Sequence, residues 1–234
     1  MNYSNSEVKP PTPYFDYVLL FGALLVISIF TYVLIQYNLV EQLIEWSSLL
    51  SAILFFYLAF RYDHRGVLAM AITAFVGFWG LSLSPINWAN SDLLETVHLY
   101  NSGILIGILL VITGFILDSK NIKKHFVFTF KNFGLILFLV GISAGMFESN
   151  YWVAYAIGSI ISSAIISITS WKKLEHLFFV YAAITGYIAF TWTLIRMDLD
   201  VVFQLWFFYV MASMAGLIWM IERIINSKRK NRNI

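Results

Sequence analysis

A group of ionisable residues lies in the short stretch FRYDHRG, residues 60–66, between two long apolar segments. The group consists of Arg61, Asp63, His64 and Arg65. Acidic, basic and imidazole side chains in one place could form an active site. They could equally mark the point where the chain leaves a membrane, because charged residues gather in the loops that flank membrane spans. The segments on either side decide between the two.

A second group of chemically capable residues lies in the stretch SPINWANSDLLETVHLYN, residues 84–101. Asp92, Glu95 and His98 belong to it, and Glu95 and His98 are three residues apart, which places them on one face of a helix. A carboxylate and an imidazole at this spacing could bind a divalent metal, joined by Glu148 if the loops converge. The alternative is that all four are solvated loop residues, since E-x-x-H is short enough to occur by chance.

The composition indicates a chain that lies mostly in lipid. Of 234 residues, 60% are hydrophobic and 12% are charged, and the mean hydropathy is +0.77. Soluble domains have roughly 25% charged residues, so this chain could not cover itself with a polar surface in water. It contains no cysteine, which excludes disulfides, thiolate metal sites and cysteine nucleophiles.

Eight apolar segments have lengths that predict membrane-spanning helices, because a helix needs about 20 residues to cross the hydrocarbon layer and must satisfy its own backbone hydrogen bonds there. The predicted segments are Phe15–Gln36, Ile44–Phe60, Gly66–Ser84, Val97–Leu117, Asn132–Phe147, Tyr151–Trp171, Leu177–Ile195 and Val201–Ile221. The fold class is therefore an all-α polytopic bundle. We expect a cytoplasmic tail at 1–14, one transmembrane domain at 15–222 and a basic cytoplasmic tail at 223–234.

The charges predict the orientation of these eight spans. With both tails inside, fourteen of the fifteen Lys and Arg residues fall on the inner side together with six acidic residues, a net charge of +8. The outer side then holds Arg196 and seven acidic residues, a net charge of −6. Basic residues favour the cytoplasmic side, so the pattern predicts an N-in, C-in topology. In this topology FRYDHRG is the first inner loop, and its charges serve to orient the chain.

The interiors of the predicted spans contain no Asp, Glu, Lys, Arg or His, and this excludes several function classes. Proton-coupled carriers normally need a buried carboxylate or histidine, and voltage sensors need a row of arginines. No HExxH, Walker or GxGxxG motif occurs either. A carrier of neutral solutes and a structural protein remain, and we expect no cofactor and no enzymatic activity.

Tryptophan is distributed unevenly between the two predicted sides. Six of the eight tryptophans fall towards the outer side: Trp46, Trp79, Trp88, Trp152, Trp192 and Trp206. Aromatic belts occur at both interfaces of ordinary membrane proteins, and one interpretation is such a belt. The alternative is that aromatic faces beside carboxylates line an outward-facing pocket for a sugar or a cationic ligand.

Two GxxxG motifs predict close helix packing. GILIG contains Gly103 and Gly107 in the fourth span, and GISAG contains Gly141 and Gly145 in the fifth. Small residues four apart let helix backbones approach closely, so we expect these spans to pack as an antiparallel pair. The bilayer is the expected partner of the whole chain, with anionic lipid at the basic tail SKRKNRN and other membrane proteins as further partners. Nucleic acid is not expected.

Two stretches carry a family resemblance. They are LAFRYDHRGVLAMAITAFVGFWGLSLSP, residues 58–85, and KKHFVFTFKNFGLILFL, residues 123–139. Together with the Trp- and Gly-rich spans between them, they resemble the bacterial multi-pass membrane proteins of the type called domain of unknown function 2157. The resemblance implies a bacterial inner-membrane location, and it implies no site residues.

Three functions are compatible with these observations. A small-solute transporter would use a polar path through the bundle. A non-catalytic scaffold or assembly factor would use its apolar and small-residue faces to hold other membrane proteins. A membrane enzyme would need the outer residues Asp92, Glu95, His98 and Glu148 to converge on a metal. We expect the transporter, with the scaffold as the alternative and the enzyme third, and the missing intramembrane charges are compatible with both of the first two.

Overall fold

The computed structural model describes residues 14–83, 93–173, 175–196, 209–211, 213–216 and 218, and no strand occurs within those ranges. The described chain is helical, as the apolar segments predict. The helices are α1 Phe15–Gln36, α2 Val40–Tyr62, α3 Arg65–Leu83, α4 Leu93–Ser119, α5 Lys124–Glu148, α6 Trp152–Lys173 and α7 His176–Arg196. Residues 209–211, 213–216 and 218 of the eighth predicted segment are also helical, and the rest of that segment lies outside the described residues.

Five helical stretches are long and apolar enough to cross a membrane: Phe15–Gln36, Leu99–Ser119, Lys124–Glu148, Trp152–Lys173 and His176–Arg196. The apolar parts of α2 and α3 are shorter, at Trp46–Tyr62 and Arg65–Gly80. Large apolar side chains cover the outside of these helices. On α1, for example, Val18 is 67% exposed and Ile35 is 64% exposed. Exposure of this kind is costly in water and favourable in lipid, so it supports a membrane location.

Helix α5 begins eight residues before the segment predicted for it. The sequence predicts a span at Asn132–Phe147, whereas the helix runs from Lys124 to Glu148. The added part contains apolar residues, of which Phe126, Val127 and Phe130 are buried, whereas Phe128 is exposed. Hydropathy misses this part of the helix because His125 and Lys131 interrupt the apolar run, although their side chains have partners described below.

The chain divides into two compact units, Met1–Trp152 and Val153–Ile234. In the first unit, α2 and α3 form one antiparallel hairpin and α4 and α5 form another. The core between them contains Phe55, Leu68 and Phe126, each fully buried. In the second unit, Gly186 of α7 lies against Ser163 of α6. The predicted boundaries at 14 and 222 are not tested by this division and stay predictions.

Glycines set the separation of α4 and α5. Gly103 faces Gly141, and a Cβ placed on Gly103 would lie 3.8 Å from the Gly141 Cα. The approach is closer at Gly107, where an added Cβ would lie 2.6 Å from the Phe138 amide nitrogen and 2.8 Å from the Gly134 carbonyl oxygen. Gly145 is buried one turn beyond Gly141. Gly134, which the GxxxG pattern does not single out, is therefore the glycine that Gly107 packs against.

We expect Gly107→Ala to destabilise the first unit by about 1–3 kcal/mol, because the new methyl group would overlap backbone atoms that cannot rotate away. The matched control is Gly80→Ala on α3, where an added Cβ meets nothing within 4 Å. That control should be neutral or stabilising by up to about 1 kcal/mol, since alanine favours helix. Unfolding in detergent measures both, and equal effects of the two substitutions would contradict the tight backbone contact.

Candidate functional site

The turn between α2 and α3 buries an aspartate. Asp63 follows the last residue of α2 and has φ 61° and ψ 34°, a left-handed conformation that lets its backbone N–H donate to the Ala59 carbonyl and end the helix. Aspartate adopts this conformation more readily than most residues other than glycine. The result is a side chain that turns inward, with 1% of its surface exposed.

His64 completes the same turn and connects it to α1. Its Nδ1 accepts a hydrogen bond from the Val67 N–H at 3.1 Å, which satisfies one of the free donors at the start of α3. Because Nδ1 is an acceptor, a ring proton must lie on Nε2, which is 3.6 Å from Asp16 Oδ1 near the start of α1. The turn is therefore linked to α1 through His64 and to the start of α5 through Asp63.

Two basic side chains from the other hairpin meet Asp63. Lys123, the residue before α5, has its Nζ 2.5 Å from Asp63 Oδ1, and His125 has its Nε2 3.0 Å from the same oxygen. All three side chains are more than nine-tenths buried. We call Asp63, Lys123 and His125 the ionic cluster. Lys123 also has a left-handed backbone, with φ 44° and ψ 55°, so both ends of the pair are placed by unusual local conformations.

The surroundings of the ionic cluster are aromatic. Lys123 Nζ lies 5.9 Å from the centre of the Phe126 ring, and Phe126 packs edge-on against Phe60 at 5.3 Å. His125 approaches Asp63 closely but at an angle unsuited to a hydrogen bond, and within the described ranges neither of its ring nitrogens has a hydrogen-bond partner. A buried charge in apolar surroundings is costly unless it is paired, so the carboxylate depends on Lys123.

A second ion pair lies further along the same hairpin. Lys131 on α5 has its Nζ 3.4 Å from Asp118 Oδ2 on α4 and 4.8 Å from the centre of the Phe115 ring. Half of the Asp118 side chain is exposed, so this pair contributes little on its own. It does explain how α5 carries a lysine within a stretch that is otherwise apolar.

These contacts add to two expectations drawn from the sequence. FRYDHRG contains more than charges that orient the chain, because Asp63 is buried, whereas Arg61 and Arg65 are exposed. The predicted span Asn132–Phe147 contains no ionisable residue, but α5 begins earlier than predicted and includes His125 and Lys131. The argument against proton-coupled carriers therefore does not cover this added part of α5.

The predicted metal site stays a prediction, because the side chains of three of its four residues lie outside the described part of the chain. Asp92 and the side chains of Glu95 and His98 lie outside the described residues. Glu148 is the last residue of α5 and is exposed. Among the described residues, no three His, Cys, Asp or Glu side chains are grouped so that they could hold a metal ion.

A groove with hydroxyl groups on its wall lies among α1, α2 and α3. Its volume is about 440 Å³, within the usual range for small-molecule sites. Thr31, Ser47, Ser48, Ser51 and Thr73 provide the hydroxyls, and no ionisable side chain of the described residues lines it. We call this the hydroxyl groove.

The hydrogen bonds of these hydroxyls determine what the groove offers. Ser48 donates to the Ala74 carbonyl of α3 at 2.8 Å, Ser51 to the Ser47 carbonyl at 2.8 Å and Thr73 to the Ala69 carbonyl at 2.9 Å. Their protons are thus used by the backbone, and their oxygens keep lone pairs that can accept. The groove therefore suits a ligand that donates hydrogen bonds and carries no charge.

Comparison with known proteins gives no match for this chain among family models, curated proteins or solved structures. The resemblance to domain of unknown function 2157 therefore stays a prediction.

We expect Asp63→Asn to destabilise the folded protein by about 3–5 kcal/mol, because it leaves the Lys123 ammonium buried without its counter-charge. Asparagine tolerates the left-handed backbone as well as aspartate does, so the substitution tests the charge and not the turn. Adding Lys123→Met should restore much of the loss, which unfolding of the two single variants and the double variant in detergent would measure as a coupling energy. Additive losses would show that the two side chains do not depend on each other.

Proposed function

We propose that this chain is an eight-span protein of a bacterial inner membrane with both termini in the cytoplasm. The charge distribution along the sequence supports this orientation. The first unit supports the alternation of the spans, because Asp16 near the start of α1, the α2–α3 turn and the α4–α5 turn meet at one end through His64 and Asp63. An N-in chain whose first five helices each cross the membrane would place these three parts on the inner side together. The family resemblance adds the bacterial location.

We further propose that the protein transports a small neutral solute that donates hydrogen bonds, such as a polyol, a sugar or an amide. The hydroxyl groove is the observation that carries this proposal, because it combines a suitable volume, five hydroxyls and apolar walls. Its lining residues lie within the helices and not in the turns, so in a membrane the groove would lie at the depth of the hydrocarbon. A polar surface at that depth is expensive unless something uses it.

Thr31 is the best residue for testing the hydroxyl groove. Its hydroxyl makes no hydrogen bond within the described part of the chain, so it is available to a ligand, and Thr31→Val removes it with little change of shape. A neutral polyol, sugar or amide that raises the melting temperature of the wild type should bind about five- to tenfold more weakly to Thr31→Val, the usual effect of one hydrogen bond. Glycerol, inositol, glucose and urea form the first panel.

The matched control is Thr113→Val on α4, whose hydroxyl donates to the Leu109 carbonyl away from the hydroxyl groove. This variant should keep the wild-type affinity. A compound that passes both tests should then enter proteoliposomes that contain the protein, and not empty liposomes. If no neutral compound shifts the melting temperature, the transport proposal is wrong and a scaffold that acts through other membrane proteins becomes the better hypothesis.

The proposed orientation can be tested with single cysteines, since the chain has none of its own. Asn150→Cys, just after α5, should react with a membrane-impermeant maleimide in intact cells. Lys124→Cys, at the other end of α5, should react only after the membrane is opened. Both positions are exposed in the folded chain, whereas the neighbouring Lys123 is buried and would be protected on either side. The reverse labelling pattern would invert the topology.

A further inference from the structure

The first unit contains a second pocket, at the end of the bundle opposite the ionic cluster. It lies among α3, α4 and α5 and has a volume of about 380 Å³. Trp79, Tyr100 and Glu148 line it together with apolar residues that include Ile106, Leu137 and Val140. The sequence suggested that an outer tryptophan and an acidic residue could share a pocket, and Trp79 and Glu148 do so. We call this the aromatic pocket.

Small residues keep the aromatic pocket open. Gly103 and Gly141 bring α4 and α5 together at its base, and Ala144 lies one turn further along α5. Gly80 on α3 also lines the pocket, and a Cβ placed there would meet no atom within 4 Å. A side chain can therefore begin at Gly80 without a clash of its Cβ with the described residues.

The electrostatic character of the aromatic pocket is negative. Glu148 contributes a carboxylate, and none of the ion pairs among the described residues involves it. Helices α3 and α5 both end near this pocket, at Leu83 and Glu148, and neither has a basic residue in its last turn. Helix C-termini carry a partial negative charge that favours cations. Helix α4 begins on this side too, but its first residues, from Leu93, precede those that line the pocket.

We propose that the aromatic pocket binds a small organic cation with an apolar or aromatic body, such as a substituted ammonium ion. The apolar walls would hold the body, and the Trp79 ring, Glu148 and the two helix ends would stabilise the positive charge. Among the described residues a single carboxylate lines the pocket, whereas a hard metal cation needs several oxygen ligands. This site is separate from the hydroxyl groove and stands whether or not the transport proposal is right.

Equilibrium dialysis with radiolabelled benzyltrimethylammonium tests the proposal on the full-length protein in detergent. Gly80→Phe should fill the pocket and abolish saturable binding, so it also provides the background due to the micelles. Glu148→Gln should weaken binding by roughly tenfold, as expected for a cation that loses its charged partner. Glu175→Gln, the same change on a residue that does not line the pocket, should leave the affinity unchanged, as should Thr31→Val.

One uncharged analogue and one negatively charged analogue complete the experiment. Benzyl alcohol and phenylacetate share the aromatic ring and should bind at least about tenfold more weakly than the cation, because neither gains from the negative end of the pocket. If benzyl alcohol binds as well as the cation, or if Glu148→Gln binds as well as the wild type, the charge recognition is wrong. Absence of saturable binding above the Gly80→Phe background overturns the site itself. Thermal unfolding of Gly80→Phe should match the wild type, which shows that the loss is not due to misfolding.

Discussion

The arrangement of the first unit depends on one buried carboxylate. Asp63 lies in the turn of the α2–α3 hairpin and accepts a hydrogen bond from the Lys123 ammonium. Lys123 precedes α5 in the other hairpin and is sixty residues away in the sequence. Apolar contacts between helices are tolerant of sliding and rotation, particularly in lipid, where burial of apolar surface gives little preference for one register. A buried ion pair is not tolerant in this way, because separating its partners exposes each charge to an apolar environment. The pair therefore selects one register for the two hairpins, while packing supplies most of the contact area.

The glycines of α4 and α5 act together with this pair. The ionic cluster fixes the end of the hairpin at which α5 begins, and the contacts of Gly107 and Gly141 fix the distance between the helices along the rest of their length. The close approach also decides where space remains. Where backbones touch there is no room for a ligand, whereas the hydroxyl groove and the aromatic pocket both border α3, which packs less closely on its neighbours at those places.

The sequence predicts the helices well and the ionic cluster poorly, for physical reasons. α1, α6 and α7 lie within about two residues of their predicted bounds, because each is a continuous apolar run that ends at charged or polar residues. The predicted bounds of α5 are too short because hydropathy places the end of the span at Lys131, whereas Asp118 neutralises this lysine and the helix continues.

The pairing of Asp63 with Lys123 depends on tertiary structure. A signal for it exists all the same, since both residues fall in neighbouring loops of the predicted inner side and carry opposite charges. The register of the glycines, with Gly107 against Gly134, could not be read from two GxxxG motifs alone.

The slight burial of α1 has a consequence for how a molecule reaches the hydroxyl groove. This helix buries little besides Ala23 and Leu34, and its polar link to the bundle is the contact between Asp16 and His64. It nevertheless forms one wall of the groove, through Ile27, Phe30 and Thr31. Of the three walls it is the one whose displacement breaks the fewest interactions, since α2 and α3 are held together along their length and share a two-residue turn. The proposed solute would therefore enter the groove from the side, along α1, while α2 and α3 stay packed against each other.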